Sequence, residues 1–342
     1  MRRILFALLF LLSSVAIVCS QGKLGVYAVA FYNLENLYDT ENDPNVNDED
    51  FTPEGVNEWT PDKYKKKLDN LSFAISKFGR EHCAGGVSVL GVCEIENRKV
   101  LEDLTATPAL ADMNLGIVHY DSPDRRGVDV ALLYNTASFK VLSSRVYPYV
   151  LPGNPDFRSR DQLLVTGLLG GEKIHVIVCH WPSRYGDKSS ELRENAASIS
   201  KRIIDSIHNE DINAKIILMG DLNDDPTDIS CRVVLKAKKK QSETKPGGLF
   251  NTMWEFYDRG IGSLAYQNKW SLFDQIIISY ALLGKDRSTL KFWKSEIFNR
   301  DFLHQKEGRN KGYPMRTYSG NQFINGYSDH FPTLIYLIKN IN

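Results

Sequence analysis

Apolar residues in this chain gather into short, near-continuous runs instead of alternating with polar ones. The clearest are Val26–Tyr32, Val87–Cys93, Val128–Tyr134, Leu163–Leu169, Ile174–Cys179, Ile216–Met219, Gln275–Ser279 and Thr333–Ile338. Runs of this length predict strands covered on both faces. Two stretches follow the helical period instead. Thr60-Pro61 is a start signal, a capping side chain followed by proline in the first turn; Tyr64, Leu68, Leu71, Ile75 and Phe78 then recur along one face. From about Ser190 to His208, Leu192, Ala196, Ile199, Ile203 and Ile207 form a second stripe. Many strands with few helices predict a layered α/β domain. Asn42–Asn57 and Lys236–Gly248 read as exposed loops, and residues 284–327 as a long polar and aromatic insertion between two strands. No internal repeat is visible at the level of motifs.

The first twenty residues stand apart. Arg2 and Arg3 precede an apolar stretch, Ile4 to Val18, interrupted only by Ser13 and Ser14. That is shorter than the roughly 20 residues a membrane span needs and predicts a secretory signal. Cleavage after Ser20 would leave residues 21–342 as one exported domain, periplasmic or secreted, monomeric and without a transmembrane segment. Lipidation of Cys19 is the alternative, which bulky Val18 disfavours.

Composition narrows the class. With 42% hydrophobic and 25% charged residues in 342, the chain is of globular type; disordered, collagen-like and multi-span membrane proteins are excluded. Basic and acidic residues number 42 each, and without Arg2 and Arg3 the balance is 40 to 42. A nucleic-acid substrate would therefore need a local cationic patch and not the field of the whole protein. Cys83, Cys93, Cys179 and Cys231 show neither CxxC spacing nor a disulfide framework, so free thiols are expected.

Candidate chemistry lies where polar residues end the apolar runs. The first run ends in Tyr32-Asn33-Leu34-Glu35-Asn36 and the second in Cys93-Glu94-Ile95-Glu96. Others end in Cys179-His180-Trp181 and Gly220-Asp221-Leu222-Asn223-Asp224. Asp274 opens a further run, and Ser328-Asp329-His330 precedes the last. Any one of these reads equally well as a turn, a cap or a satisfied histidine. Together they supply oxygen ligands suited to a hard cation such as Mg²⁺ or Mn²⁺, with two histidines for proton and charge management.

The stretches FYNLENL, GVCEIEN, RRGVDVALLYN, VIVCHWPSR, ILMGDLND, FDQIII and GYSDHFP occur in that order between Phe31 and Pro332. In this set and order the chain resembles the endonuclease/exonuclease/phosphatase superfamily, which includes exonuclease III, pancreatic-type deoxyribonucleases, bacterial sphingomyelinases and inositol polyphosphate 5-phosphatases; the opening motif is similar to a secreted bacterial subgroup. The resemblance implies a four-layer α/β/β/α sandwich with two central mixed β-sheets and the site at one end of them. It implies metal ligands at Asn33, Glu94 and Asp329, with Glu35 as an acidic second ligand. Asp221 would activate the attacking water, Asn223 would position it, and His330, oriented by Asp274, would act near the scissile phosphate. His180 would steady non-bridging oxygens. Apart from the resemblance, Arg126 and Arg184 are the candidate substrate contacts, as cations in loops beside the candidate strands.

Three departures stand out. Cys93 occupies a position where many relatives have glutamine, which removes hydrogen bonds behind Glu94. Asp129 lies inside a strand, where pairing with Arg125 or Arg126 is the simplest expectation, and Glu96 would touch the metal shell or be solvated. For substrate, the cations Arg125, Arg126, Arg158, Arg160, Arg184 and Lys236–Lys240 favour a nuclease acting on phosphodiesters. A lipid phosphodiesterase would need exposed aromatics, for which Phe292, Trp293, Phe298 and Phe302 are the candidates, and a small-molecule phosphatase could use Arg316 in its pocket. A non-catalytic binding protein of this fold would be expected to lack Glu94, the Asp221–Asn223 pair or His330, all of which are present.

Overall fold

The computed structural model describes residues 23–184 and 189–341; the expected signal segment and Cys19 lie outside the described residues. In chain order the elements are β1 (Lys23–Leu37), α1 (Pro61–Ile75), β2 (Val87–Ile95), α2 (Arg98–Thr105), β3 (Leu115–His119), β4 (Asp129–Asn135), β5 (Phe139–Tyr147), β6 (Gln162–Leu169) and β7 (Glu172–His180). They continue with α3 (Ser190–Glu210), β8 (Lys215–Asp221), β9 (Leu249–Asn251), α4 (Trp254–Asp258), β10 (Leu264–Tyr266), β11 (Lys269–Ser271), β12 (Asp274–Ser279), β13 (Lys291–Ile297), β14 (Tyr318–Ser319), β15 (Gln322–Phe323) and β16 (Thr333–Ile341). Every apolar run named above forms a strand, most extended by a residue or more at the ends, with Val128 alone falling just before its strand.

Two six-stranded sheets form the centre, ordered β13-β16-β1-β2-β4-β3 and β5-β6-β7-β8-β12-β9. Each has a single parallel pair at its middle, β1 with β2 and β7 with β8, flanked by antiparallel neighbours. Both parallel pairs are βαβ units, joined through α1 and α3, because a parallel return needs a crossover. Thr60 caps α1, its hydroxyl accepting from Lys63 N at 3.4 Å, with Pro61 in the first turn. Leu71, Ala74 and Ile75 of α1 and Val100, Leu101 and Leu104 of α2 bury against the first sheet, while Ala196, Ile199 and Ile203 of α3 cover the second. The result is the four-layer α/β/β/α sandwich.

Alternation decides which side chains meet between the sheets. Ile217 and Met219 of β8 join the core between the sheets, whereas Ile216 and Leu218 join the cluster beneath α3. At Gly91 the packing is tight enough that a Cβ would approach Met219 Sδ to 2.6 Å. Continuing the same period brings His180, Asp221 and Asp274 onto the inner face at one end of the second sheet. They are adjacent by register, His180 beside Asp221 in the parallel pair and Asp274 beside Asp221 in the antiparallel one.

The insertion at residues 284–327 is more structured than its composition suggests. It supplies edge strand β13 and the small β14–β15 hairpin. Its aromatics pack on the body instead of projecting: Phe298 is buried and meets Phe78 at 5.1 Å, Phe292 meets Phe250 and Phe302 meets Phe73. Only Trp293 of the four is substantially exposed, so the expected membrane-dipping cluster is absent from the described residues. Cys83, Cys93, Cys179 and Cys231 are free and buried.

Candidate active site

The strands that converge on the site end in unusual backbone. Glu35, Asn36, Glu94 and Asn223 all have positive φ, between 49° and 57°. Such conformations are uncommon for non-glycine residues and gather where geometry serves a site. At Asn223 the backbone turns left-handed, so its side chain does not simply continue the strand alternation from Asp221. Instead Asn223 N donates to Asp221 Oδ1 at 3.0 Å, and its amide nitrogen donates to Trp181 O at 3.0 Å.

Asp221 is 2% exposed and stands at the centre. Asn33 Nδ2 donates to its Oδ2 at 3.1 Å, and the Nε2 atoms of His180 and His330 lie 3.7 and 3.9 Å from that oxygen. Burial, reinforced by the charges of Asp274 and Glu94, pushes its carboxyl up to about 7 against the pull of His330. A base poised near neutrality suits proton abstraction from water.

The two histidines take opposite roles. His330 Nδ1 meets Asp274 Oδ2 at 2.6 Å. Ser263 Oγ donates to the same Asp274 oxygen at 2.5 Å. Burial opposes charge on His330, but Asp274, Asp329 and Asp221 outweigh it and hold the imidazolium well above the usual histidine range. His180 is driven the other way, well below that range, by burial and then by Arg160, Arg126 and His330. It is therefore a neutral ring. Its Nε2 is 3.7 Å from Glu94 Oε1 and its buried Nδ1 has no partner.

Asn33 and Glu94 lie beside Asp221, Asp329 beside His330 and Glu35 beside Asp329, and each of the four is fixed on one side. Asn33 Oδ1 accepts Glu35 N at 2.8 Å. Glu94 Oε2 accepts Asn36 N at 3.1 Å, a support that does not depend on the residue at position 93. Glu35 Oε2 takes Thr317 N and Oγ1 at 2.7 and 2.6 Å, with Lys67 Nζ at 3.4 Å. Asp329 Oδ2 takes Arg316 Nη2 at 2.6 Å. Glu35 Oε1, Glu94 Oε1 and Asp329 Oδ1 accept no hydrogen bond, the nearest arginine and histidine nitrogens lying 3.7 to 3.9 Å away. Three oriented carboxylate oxygens and an amide carbonyl with a spare lone pair fit a hard divalent cation. The Asp221, Asp274 and His330 atoms also lie close enough to group around an ion, but the Asp274–His330 hydrogen bond makes them a relay.

Arg126 and Arg184 separate. Arg126 is half-exposed beside Glu94, with Nη1 3.9 Å from Oε1, where an incoming anion would meet it. Arg184, expected on the substrate, is held instead by protein: Nε donates to Asn223 O at 2.7 Å, Nη2 to Asp224 Oδ1 at 2.8 Å and to Asp228, and its plane lies over Phe273. It secures the turn that carries Asn223. Asp224 completes that brace by accepting from Arg193 Nε at 2.6 Å and Ser230 Oγ at 2.6 Å. Asp129, expected to pair with Arg125 or Arg126, accepts from Ser122 N and Oγ and lies 2.9 Å from His119 Nε2. Glu96 stands outside the centre and accepts Asp39 N at 2.7 Å.

Lys67, Thr317 and Ser263 escaped the sequence reading. Lys67 sits on a stretch of repeated lysines, and nothing in its spacing distinguishes it from its exposed neighbours. The fold buries it completely, with Nζ bonded to Thr317 Oγ1 at 2.7 Å and Tyr327 O at 2.8 Å.

Two clefts flank the site. One, about 500 Å³, begins at Arg126 and includes Arg125, Arg158, Phe157 and Asn154. The other, about 630 Å³, begins at Arg316 and Asp329 and includes Tyr266, Gln267, Asn268 and Arg309.

Comparison with known proteins identifies the family and the fold. The model of the Endonuclease/Exonuclease/phosphatase family matches residues 28–339. No curated protein sequence matches the chain. Among solved structures, an endonuclease/exonuclease/phosphatase family protein from Bacteroides thetaiotaomicron is similar at 15% identity and TM-score 0.57, over 94% of this chain and 100% of that one. D. rerio TDP2 complexed with a single-strand DNA product is similar at 12% and 0.53, over 91% and 98%. The B. thetaiotaomicron mannosyl-6-phosphatase is similar at 16% and 0.54, over 91% and 99%. At these identities the structures attest the fold, and the family model carries the assignment: the chain belongs to the endonuclease/exonuclease/phosphatase family, whose members are divalent-metal-dependent phosphoester hydrolases.

Proposed function

We propose that this protein is an exported, Mg²⁺-dependent phosphodiesterase acting on nucleic acid. The observation that carries the diester reading is the pair of clefts that begin at Arg126 and at Arg316, giving the groups on both sides of a scissile phosphate somewhere to lie. A monoesterase needs only one such cleft. The arginines in each match phosphates along a strand, and exposed Tyr266 offers a stacking face. The likeness to TDP2 holding single-strand DNA product supports the same choice.

In the proposed reaction Asp221 takes the proton of the attacking water, which the Asn223 side chain orients. The His330 imidazolium, kept charged by Asp274, donates to a phosphoryl oxygen as negative charge builds there. Neutral His180 donates one further hydrogen bond through Nε2, and Arg126 holds the substrate anion. A divalent cation on Asn33, Glu35, Glu94 and Asp329 supplies charge neutralisation when bound. Catalysis on this scheme is positioning plus electrostatics, as in phosphoryl transfer generally.

Hydrolysis of plasmid DNA, an RNA oligomer, sphingomyelin vesicles, a phosphoinositide and a sugar phosphate, with Mg²⁺ or EDTA, tests the reading, with Asp221→Ala as control. Metal-dependent cleavage of nucleic acid, lost in the variant, is expected. Turnover of lipid or sugar phosphate alone would overturn the substrate and keep the chemistry. The mannosyl-6-phosphatase likeness makes the sugar phosphate the substrate of the second reading.

A further inference from the structure

Three loops from both sheets meet beside the site. The loop before β4 belongs to the first sheet, and the β5–β6 connection and the turn after β7 belong to the second. Together they line the cleft of about 500 Å³ with Arg125, Arg126, Arg158 and Arg160, set against the carboxylates of Asp124 and Asp156. Asp124 is already neutralised: Arg160 Nη1 donates to its Oδ2 at 2.9 Å, and Arg126 N donates to its Oδ1 at 3.0 Å. Cationic charge is therefore in excess.

Arg160 is buried and structural. Its Nε donates to His180 O at 3.2 Å and its Nη2 to Trp181 O at 2.6 Å, which ties the cleft to the strand end bearing His180. Arg125 and Arg158 are exposed and form no ion pair among the described residues. Arg158 is steadied by one bond, from Nη1 to Pro155 O at 2.5 Å. Ser159 lines the same cleft; it is 1% exposed, and its Oγ is buried with no hydrogen-bond partner. Buried hydroxyls are normally satisfied, so a spare donor in the wall of a cationic cleft points to an anionic oxygen as the missing acceptor. Phe157, partly buried against Tyr149 at 5.5 Å, adds an aromatic ring to the lining.

We propose that this cleft holds the phosphate next to the scissile one on the same strand, bound by Arg125 and Arg158 with a hydrogen bond from Ser159. The inference rests on the nucleic-acid reading above and deepens it, because the preferred substrate must then carry at least two phosphates. Arg126 belongs both to the cleft and to the neighbourhood of Glu94, so it bridges the two phosphate positions. A guanidinium is weakly hydrated and its planar fork matches phosphate oxygens, which suits it to this task. A sugar monophosphate has no second phosphate to place there.

Steady-state hydrolysis of three thymidine dinucleotides tests the subsite: one with the internucleotide phosphate alone, one with an added 5′ phosphate and one with an added 3′ phosphate. Plasmid DNA and bis(p-nitrophenyl) phosphate, a diester without nucleosides, complete the set. One of the added phosphates should raise kcat/KM at least ~10-fold, chiefly through KM. In the double variant Arg125→Gln/Arg158→Gln that ratio should fall toward one. The log–log salt dependence of kcat/KM on the doubly charged substrate should flatten by about 0.7. Ser159→Ala should reduce the ratio about threefold without lowering Tm, because its hydroxyl gives up no bond. A ratio near one in the native protein, or one undiminished in the folded double variant, would overturn the subsite and leave the nuclease reading standing. Turnover of bis(p-nitrophenyl) phosphate with neither the dinucleotides nor plasmid DNA cleaved would sink that reading, and the subsite with it.

Discussion

Replacing Asp274 by Asn isolates the electrostatic half of the His330–Asp274 pair. Asp274 is fully buried and uses one oxygen for both of its contacts, the 2.6 Å bond to His330 Nδ1 and the bond from Ser263. Its Oδ1 is buried without a partner. An asparagine can therefore place its carbonyl where Oδ2 now sits and its amide where Oδ1 sits, keeping both hydrogen bonds while losing the charge. Removing one partner of a buried ion pair costs about 3–5 kcal/mol. If that loss falls on the charged His330 needed in the transition state, each 1.36 kcal/mol is tenfold, so kcat/KM should drop by roughly 10²–10⁴. The pH profile carries the sign. In the native protein Asp274 keeps His330 protonated past neutrality, so activity survives into alkaline solution. In the variant, burial acts with less opposition and the alkaline limb should move to lower pH. Steady-state rates on the best substrate across pH, with melting curves to confirm folding, measure both effects. A folded variant within threefold of native activity, or one with an unmoved alkaline limb, would refute the argument.

Three other perturbations have defined outcomes. Glu94→Gln should abolish metal-dependent turnover by at least about 10³ while leaving the fold intact, since Asn36 N can still donate to the amide oxygen; calorimetric titration with Mg²⁺ should show the catalytic site lost. Lys67→Met leaves the Glu35 carboxylate enclosed without its ammonium and should cost about 3–5 kcal/mol in urea unfolding, far more than the same change at exposed Lys65. Glu172 is bound by Lys215 at 2.9 Å and Lys339 at 2.8 Å. Burial opposes its charge, but these lysines and the Thr289 and Leu290 donors depress its carboxyl to about 2. Its contribution is present above the ordinary glutamate value and lost as pH falls from there toward 2, so Glu172→Gln should flatten the acid limb of stability, read from melts at about pH 7 and about pH 3.

Local pattern made a large part of the molecule legible. Central strands betray themselves because burial on both faces demands continuous apolar runs, and α1 because its cap, proline and stripe are neighbours in the chain. The candidate site was visible for the same reason: polar residues ending such runs must lie at the rim of the sheets. Edge strands were not legible. Phe139–Tyr147 and Lys291–Ile297 are half-exposed, carry Ser, Arg and Lys, and become strands by pairing with β6 and β16. Charge states and partners were equally beyond local pattern. His180 and His330 follow similar strand-end signals, yet one is neutral and the other cationic, because Arg160 and Arg126 act on the first and Asp274 on the second. Arg184 became a brace, and not a substrate contact, once the fold set it beside Asp224 and Asp228. Lys67 became a buried counter-charge to Glu35, 32 residues away, with Thr317 a further 250 residues on. The sequence alone determines which residue types stand at the strand ends, since that follows from neighbours along the chain. Protonation, pairing and access depend on distances between remote residues and on the water excluded around them, and those are properties of the packed tertiary structure.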